Sequence, residues 1–164
     1  MHEGSLIRVE PVKAWPQPAL EALHVSESQR RYVGRVADML ADAAVCPGSE
    51  AMTIVHDNTV IGCYRIDDSA RSVSGRDFDQ PALGLRSFFI DRCWQGRGFG
   101  RAAMDALITD AMQRHRYAGL LVLTVHTTNT IALKLYRRAG FTDNGELYHG
   151  GHGGPQHLLL RSLP

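Results

Sequence analysis

No stretch of this 164-residue chain approaches the ~20 consecutive apolar residues that a membrane-spanning helix needs. The N-terminal run MHEGSLIRVEPVKAW holds no apolar segment of the secretory kind. Neither acids nor bases are in excess: 18 Lys and Arg face 17 Asp and Glu, a formal net charge of +1. A near-neutral chain has no overall attraction to nucleic acid or to an anionic membrane. Cysteine is scarce, and Cys46, Cys63 and Cys93 are odd in number with no Cys-x-x-Cys spacing. They are therefore expected to be reduced thiols in a cytoplasmic protein rather than a disulfide framework. Internal repeats, low-complexity tracts and linkers are also missing, so residues 1–164 are expected to form one domain.

What remains is an alternation of apolar runs and helical stripes. Residues 6–12 alternate as a first strand, and residues 16–24 suit a short helix. Ser26 opens a longer helix whose expected buried stripe is Val33, Val36, Ala37, Leu40, Ala41 and Ala44, ended by Cys46-Pro47-Gly48. Residues 51–56 and 60–66 flank Asp57-Asn58 as a hairpin. Residues 67–81 are polar and turn-rich, a long loop of the kind that often serves a site. Residues 83–91, LGLRSFFID, are too apolar for a solvent face and are expected to form a central strand. After the glycines of WQGRGFG comes a helix with Ala103, Met104, Leu107, Ile108, Ala111 and Met112 on one side. Then follow the strand LLVLTV, a helix from Thr128-Asn129 carrying Ile131, Ala132, Leu135 and Ala139, and Gly140 as its stop. Residues 141–147 and 156–163 read as two last strands around HGGHGGP. The order predicts an α/β fold with a mixed central sheet of about six to seven strands flanked by helices.

Three glycines within five residues at a helix entrance demand a reason, because glycine weakens helices. The first turn of a helix presents unpaired N–H groups and a partial positive charge, and glycines let a phosphate reach that backbone. A Walker A loop would need Gly-Lys-Ser/Thr where Gly100-Arg101-Ala102 stands. A dinucleotide fingerprint would need glycine at Arg101 and an acid after the next strand, which ends in His126. Both fail. Gln-x-x-Gly-x-Gly matches QGRGFG in full: Gln95, Gly96, Arg97, Gly98, Phe99, Gly100.

That hexapeptide resembles the acetyl-coenzyme A pyrophosphate loop of the GNAT superfamily of N-acetyltransferases. The preceding strand FFID and the later NTIALKLYRRAGF, similar to the family's N-x-x-A-x-x-L-Y-x-x-x-G-F pattern, support the resemblance. It covers the chain well from Ala51 onward and more loosely before it. Within the superfamily, LRSFFIDRCWQGRGFGRAAMDALI, SQRRYV (with Tyr32 where the branch has Phe) and FTDNGE are similar to bacterial diamine or spermine/spermidine acetyltransferases. The resemblance implies a single-domain GNAT-like fold with acetyl-coenzyme A as cosubstrate. It implies that Phe88, Phe89 and Ile90 pair with the pantetheine arm like an added strand, with an N–H near Ile90 facing the thioester oxygen. It implies the pyrophosphate on the backbone of Gln95, Gly96, Arg97, Gly98, Phe99, Gly100 and Arg101, Asn129 on the coenzyme, and Tyr136 near its sulfur as the acid for the leaving thiolate. On spacing alone, Asn129 reads equally as a helix cap and Tyr136 as a core aromatic.

The base is less determined. Many family members carry a carboxylate on the central strand, and here that region is Ala82-Leu83-Gly84-Leu85. Glu27 acting through water and His126 are the two candidates, beside a chain of waters with no dedicated base. The acids Glu27, Asp38 and Asp42 could hold a cationic amine, or be an ordinary solvated helix face. His149, His152 and His157 give no complete tetrahedral set, and no metal is expected. Cys93 lacks an evident base and is read as structural. Arg30-Arg31 and Arg137-Arg138 read as solvated faces, so neither nucleic acid nor membrane is an expected partner. The expected reaction is acetyl transfer to a primary amine of a small, polyamine-like molecule, in a protein for which a homodimer stays open. A protein N-terminus, a lysine or an amine-bearing antibiotic is the alternative acceptor. A non-catalytic acyl-coenzyme A sensor is the rival from another class.

Overall fold

The computed structural model describes residues 6–150 and 154–164. Seven strands, β1 (Ile7–Pro11), β2 (Ser49–His56), β3 (Thr59–Asp67), β4 (Ala82–Ile90), β5 (Leu120–His126), β6 (Thr142–Tyr148) and β7 (Gln156–Ser162), form one sheet in the order β1-β2-β3-β4-β5-β7-β6. Among the described residues six α-helices accompany them: α1 (Gln17–Glu21), α2 (Glu27–Val33), α3 (Val36–Val45), α4 (Arg71–Ser74), α5 (Phe99–Arg114) and α6 (Thr130–Arg138). This is the mixed, helix-flanked sheet the sequence predicts. β4 takes the central position expected of LGLRSFFID. The sole parallel pair described is β4 with β5, joined by the α5 crossover, and every other described pair is antiparallel.

Side-chain alternation divides the core into two layers. On one face, Ala103, Met104, Leu107, Ile108 and Ala111 of α5, with Leu133 and Tyr136 of α6, pack on Met52, Ile54, Leu83, Leu121 and Leu123. Full burial of each of Met104, Leu107 and Ile108 contributes about 1.5–3 kcal/mol. On the other face, Leu20 of α1 and Val36, Met39 and Ala43 of α3 cover Ala51, Val60, Cys63 and Phe89.

Three expectations need correction. The long helix after Ser26 is two helices. Gly34, with φ 81° and ψ −158°, stands between them in a conformation reserved for glycine. The buried stripe of α3 is accordingly Val36, Met39 and Ala43, while Ala37, Ala41 and Ala44 are exposed. In α6 the buried residues are Leu133 and Tyr136, and Ile131 is 73% exposed. A helix lying over a cleft instead of flat on a sheet buries a narrower, rotated face. Residues 67–81 are not a free loop either: α4 forms there, and Ala70 and Val73 pack on Val122 and Leu158.

Candidate active site: a split in the sheet

The site originates in a fault between two neighbouring strands. β4 and β5 pair only at Ala82, Leu83 and Gly84 against Leu120, Leu121 and Val122. Beyond Gly84, β4 bends away. Its register with β3 shifts where Cys63 to Arg65 oppose Phe89 to Arg86, so β4 carries one extra residue there. Within that bulge Ser87 holds φ 59°, a left-handed conformation uncommon for a non-glycine residue. The strands diverge into a cavity of about 880 Å³, lined by Leu85 through Ile90 on one side and Leu123 through His126 on the other. The N–H of Asp91 donates to the Ile61 carbonyl on β3. Strand alternation therefore turns the N–H of the preceding Ile90 the opposite way, toward the split.

The glycine loop closes one end of this cavity. Gly98, with φ 82°, starts α5, and Gly96 has φ 78°. A Cβ built at either would meet no protein atom, so positive φ and not crowding calls for glycine here, and the loop's backbone is left open on its cavity side. Gly96, Gly98, Gly100 and Arg101 line the cavity together with Gln95. The Gln95 amide donates to the Ile90 carbonyl at 2.8 Å, which folds the loop back onto the strand end. Asp91 fastens the same corner. Its carboxylate accepts from Cys93 N at 2.8 Å and from His24 N at 2.7 Å, tying the loop to the segment before α2. Arg97 and Phe99 turn outward from the cavity. Phe99 packs on His56 at 4.8 Å and on Trp94 at 5.6 Å, and the Arg97 guanidinium lies over the Trp94 ring. What these two can offer a ligand in the cavity is main-chain N–H.

Helix α6 supplies the wall facing the loop. Asn129 caps it, its side-chain oxygen accepting from Ala132 N at 3.4 Å, and also lines the cavity. Tyr136 is 8% exposed and lines the cavity as well. Its ring meets Phe88 at 6.4 Å and Phe141 at 5.8 Å, both edge-on. Its hydroxyl makes no hydrogen bond among the described residues, and burial pushes the phenol above the ordinary tyrosine range. Lys134 and Arg138, also on the cavity, have no ion-pair partner among the described residues. Arg101 is 3.6 Å from Asp105.

The far end is formed by α2. Ser28, Arg31 and Tyr32 present one face to the cavity. Tyr32 bridges the split: its hydroxyl lies 2.9 Å from Thr128 Oγ1 and accepts from Arg31 at 2.6 Å, and its ring lies 5.1 Å from His126. The hydrogen bonds with Thr128 and Arg31 hold its phenol below the usual tyrosine range. His126 lines the cavity, whereas Glu27 is exposed on the first turn of α2 and does not. Asp38 and Asp42 stand off the cavity too. Asp42 is bound to Arg65 at 2.7 Å, and that hydrogen bond lowers its carboxyl below the usual range. The expected trio of acids therefore does not assemble around a ligand here. Sequence reading passed over Arg86, Ser87 and Asp91. Nothing but a bulge, which leaves no composition signal, distinguishes the first two. Of the histidines read against a metal, His157 lies 3.0 Å from Asp143, and His152 lies outside the described residues.

A parallel strand pair split by a bulge, a glycine-started helix at its end and a capped helix opposite form one constellation. The Acetyltransferase (GNAT) family profile matches residues 10–141. The chain belongs to the GNAT acetyltransferase family. This GNAT domain is 28% identical over 147 residues to the spermine/spermidine N(1)-acetyltransferase of Bacillus subtilis (strain 168), across 88% of this chain and 93% of that one. Its fold is similar to that of a spermidine N-acetyltransferase from Vibrio cholerae, solved with CoA and spermine. The TM-score is 0.69 at 13% identity, covering 96% of both chains. A GNAT family acetyltransferase from Elizabethkingia anophelis with acetyl-CoA bound superposes with a TM-score of 0.63 at 17% identity, covering 98% of this chain and all of that one. As a GNAT member the protein is an acyltransferase.

Proposed function

We propose that this acyltransferase carries the acetyl group of acetyl-coenzyme A to a primary amine of a small molecule, by direct attack of the amine on the thioester. The observation that carries this reading is the convergence of the split β4 edge and the open glycine loop on one cavity. Free N–H groups at the start of α5, with Arg101, Lys134 and Arg138, suit the coenzyme's phosphates. The exposed edge of β4 at Phe88, Phe89 and Ile90 suits an extended arm added as a strand. The coenzyme supplies an activated acyl carbon joined to sulfur.

In the reaction the amine nitrogen bonds to that carbon and the carbon–sulfur bond breaks. The sulfur takes one proton, and the amine gives one up. Ile90 N–H, turned into the split, is the donor we assign to the acyl oxygen. Tyr136, kept protonated by burial and without a competing hydrogen bond, is the acid we assign to the sulfur. His126, on the cavity and against Tyr32, is better placed than Glu27 to receive the amine proton, directly or through water. Three free thiols support a reducing, cytoplasmic setting.

The name of the Bacillus relative favours a polyamine as acceptor. A protein N-terminus, a lysine or an aminoglycoside-like amine is the second reading. Release of coenzyme thiol, followed against a panel of small amines, peptides and aminoglycosides with mass spectrometry of the products, tests it. Tight coenzyme binding with no acetylated product from any amine would instead identify a sensor.

A further inference from the structure

The charges on the cavity wall are distributed unlike those of a polycation site. Among the described residues the lining carries five cationic side chains and no carboxylate. Lys134, Arg138 and Arg101 stand on α6 and the first turn of α5, at the phosphate end. Arg86 and Arg31 stand at the other end. Arg86 precedes Ile90 by four residues on β4, so it lies up to ~13 Å back along the strand, past the bulge. It faces the layer of α2 and α3, as its register partner Arg65 does in reaching Asp42.

Its guanidinium is fixed on one side only. Arg86 Nε is 2.9 Å from Asp67, whose carboxylate is 5% exposed, and an Nη is 4.0 Å from Asp42, which Arg65 already binds at 2.7 Å. None of its donors makes an aligned hydrogen bond among the described residues, and its Nε is buried without one. Arg31, on α2, has no carboxylate partner among the described residues, and one of its nitrogens donates to Tyr32. A spermine- or spermidine-like acceptor brings further positive charges into this wall and finds arginines there. An acceptor with an oxyanion finds planar donors with open hydrogen-bonding positions.

We propose that the acceptor is a primary amine carrying an oxyanion, a carboxylate or a phosphate, which Arg86 and Arg31 bind beyond the bulge of β4 while the amine faces Ile90 and Tyr136. This rests on the acetyl-transfer reading of the same cavity and, within it, sets the charges of the wall against the polyamine that the relative's name favours. The anion is spectator to the chemistry: it gains and loses no bond, and the amine alone is acylated.

The test compares wild-type kcat/KM for acceptors of matched length. One arm holds ω-amino carboxylates, a second aminoalkyl phosphates, and a third putrescine, spermidine and spermine. The expected order puts one of the first two arms above the third, and which of them leads identifies the anion. Polyamines turning over faster than every anionic amine overturns the proposal. Arg31→Glu should raise KM for the anionic amine by about 10- to 100-fold, the contribution of a charged hydrogen bond, with a smaller change in kcat and improved use of putrescine. An unchanged KM and unchanged acceptor order in that variant count against Arg31 as an anion ligand. Arg86→Met should act in the same direction. Should it fail to fold, because Asp67 is left buried and unpaired, the wild-type acceptor order and Arg31→Glu decide. If no acceptor turns over at all, the transfer reading fails, and calorimetry of the same amines on the coenzyme-bound protein still measures the charge preference. Tighter binding of the anionic amines upholds this inference, and tighter binding of polyamines ends it.

Discussion

Tyr136 concentrates the chemistry assigned to single residues. Its ring is held edge-on between Phe88 and Phe141, and its hydroxyl is left without a partner in a wall that is otherwise packed. Removing only the oxygen in Tyr136→Phe should therefore leave coenzyme affinity and thermal stability nearly unchanged. The rate of the chemical step should fall by ~10²–10⁴-fold, the usual size of general acid catalysis. Single-turnover measurements check this, and a wild-type rate would make the tyrosine a packing residue. Because burial raises its pKa, the phenol stays protonated up to and beyond the ordinary tyrosine value of 10.0. Any alkaline fall in rate below that pH must then belong to another group. The place of Tyr136 and Asn129 on the cavity was legible in the sequence because their motif is contiguous. That of Arg86 was not, because its position comes from a bulge and from the partners beneath it, Asp67 and Asp42.

Among the elements, two glycines with positive φ make separable predictions. Gly34 lets α2 and α3 part, and Ala there should cost about 1–3 kcal/mol in denaturant unfolding, the strain of a glycine-only conformation. Since α2 carries Arg31 and Tyr32, the same change should raise the acceptor KM and spare the coenzyme Kd. An equal loss of coenzyme affinity would show that α2 does not serve the acceptor end alone. At the glycine loop, Gly98→Ala should cost about 1–2 kcal/mol for its left-handed backbone and also weaken coenzyme binding. Gly100 differs: it lies inside α5, and a Cβ there meets only the Leu135 methyls at 3.6 Å. Gly100→Ala should gain up to ~1 kcal/mol of helix stability. Calorimetry on the two variants then separates backbone strain from phosphate access. If both keep wild-type coenzyme affinity, the loop is not the phosphate site. The break at Gly34 escaped sequence reading because apolar residues recur at helical spacing on both sides of it, and a lone glycine within such a pattern is tolerated.

For the molecule as a whole, buried acids set the alkaline limit of stability. Burial pushes the Cys63 thiol from its ordinary value of 9.0 up to about 12, and it raises Tyr64 and Tyr136 in the same sense. On unfolding these groups return to their ordinary values. Above pH 9.0 the unfolded chain loses the Cys63 proton while the folded chain keeps it. The unfolded state then binds fewer protons, so stability is full below pH 9.0 and declines as pH rises toward about 12. Urea unfolding across this window should show the decline, with a shallower slope in Cys63→Ala. A flat profile in the wild type would mean that Cys63 is not shielded as its burial implies.

The sequence by itself determined the α/β class, the central place of LGLRSFFID, the glycine-started helix and the Asn129 to Gly140 segment. Each of these is written locally, in periodicity, a cap or a contiguous motif. Only the tertiary structure decided that β4 and β5 part after three paired residues, that α2 bridges the split through Tyr32, and that Glu27, Asp38 and Asp42 stand off the cavity while Arg31 and Arg86 line it. The physical reason is that a cavity's charge is the sum of side chains brought from separate elements. Which of them face inward depends on helix phase, a one-residue bulge and the ion pairs beneath, none of which has a local signal in the chain.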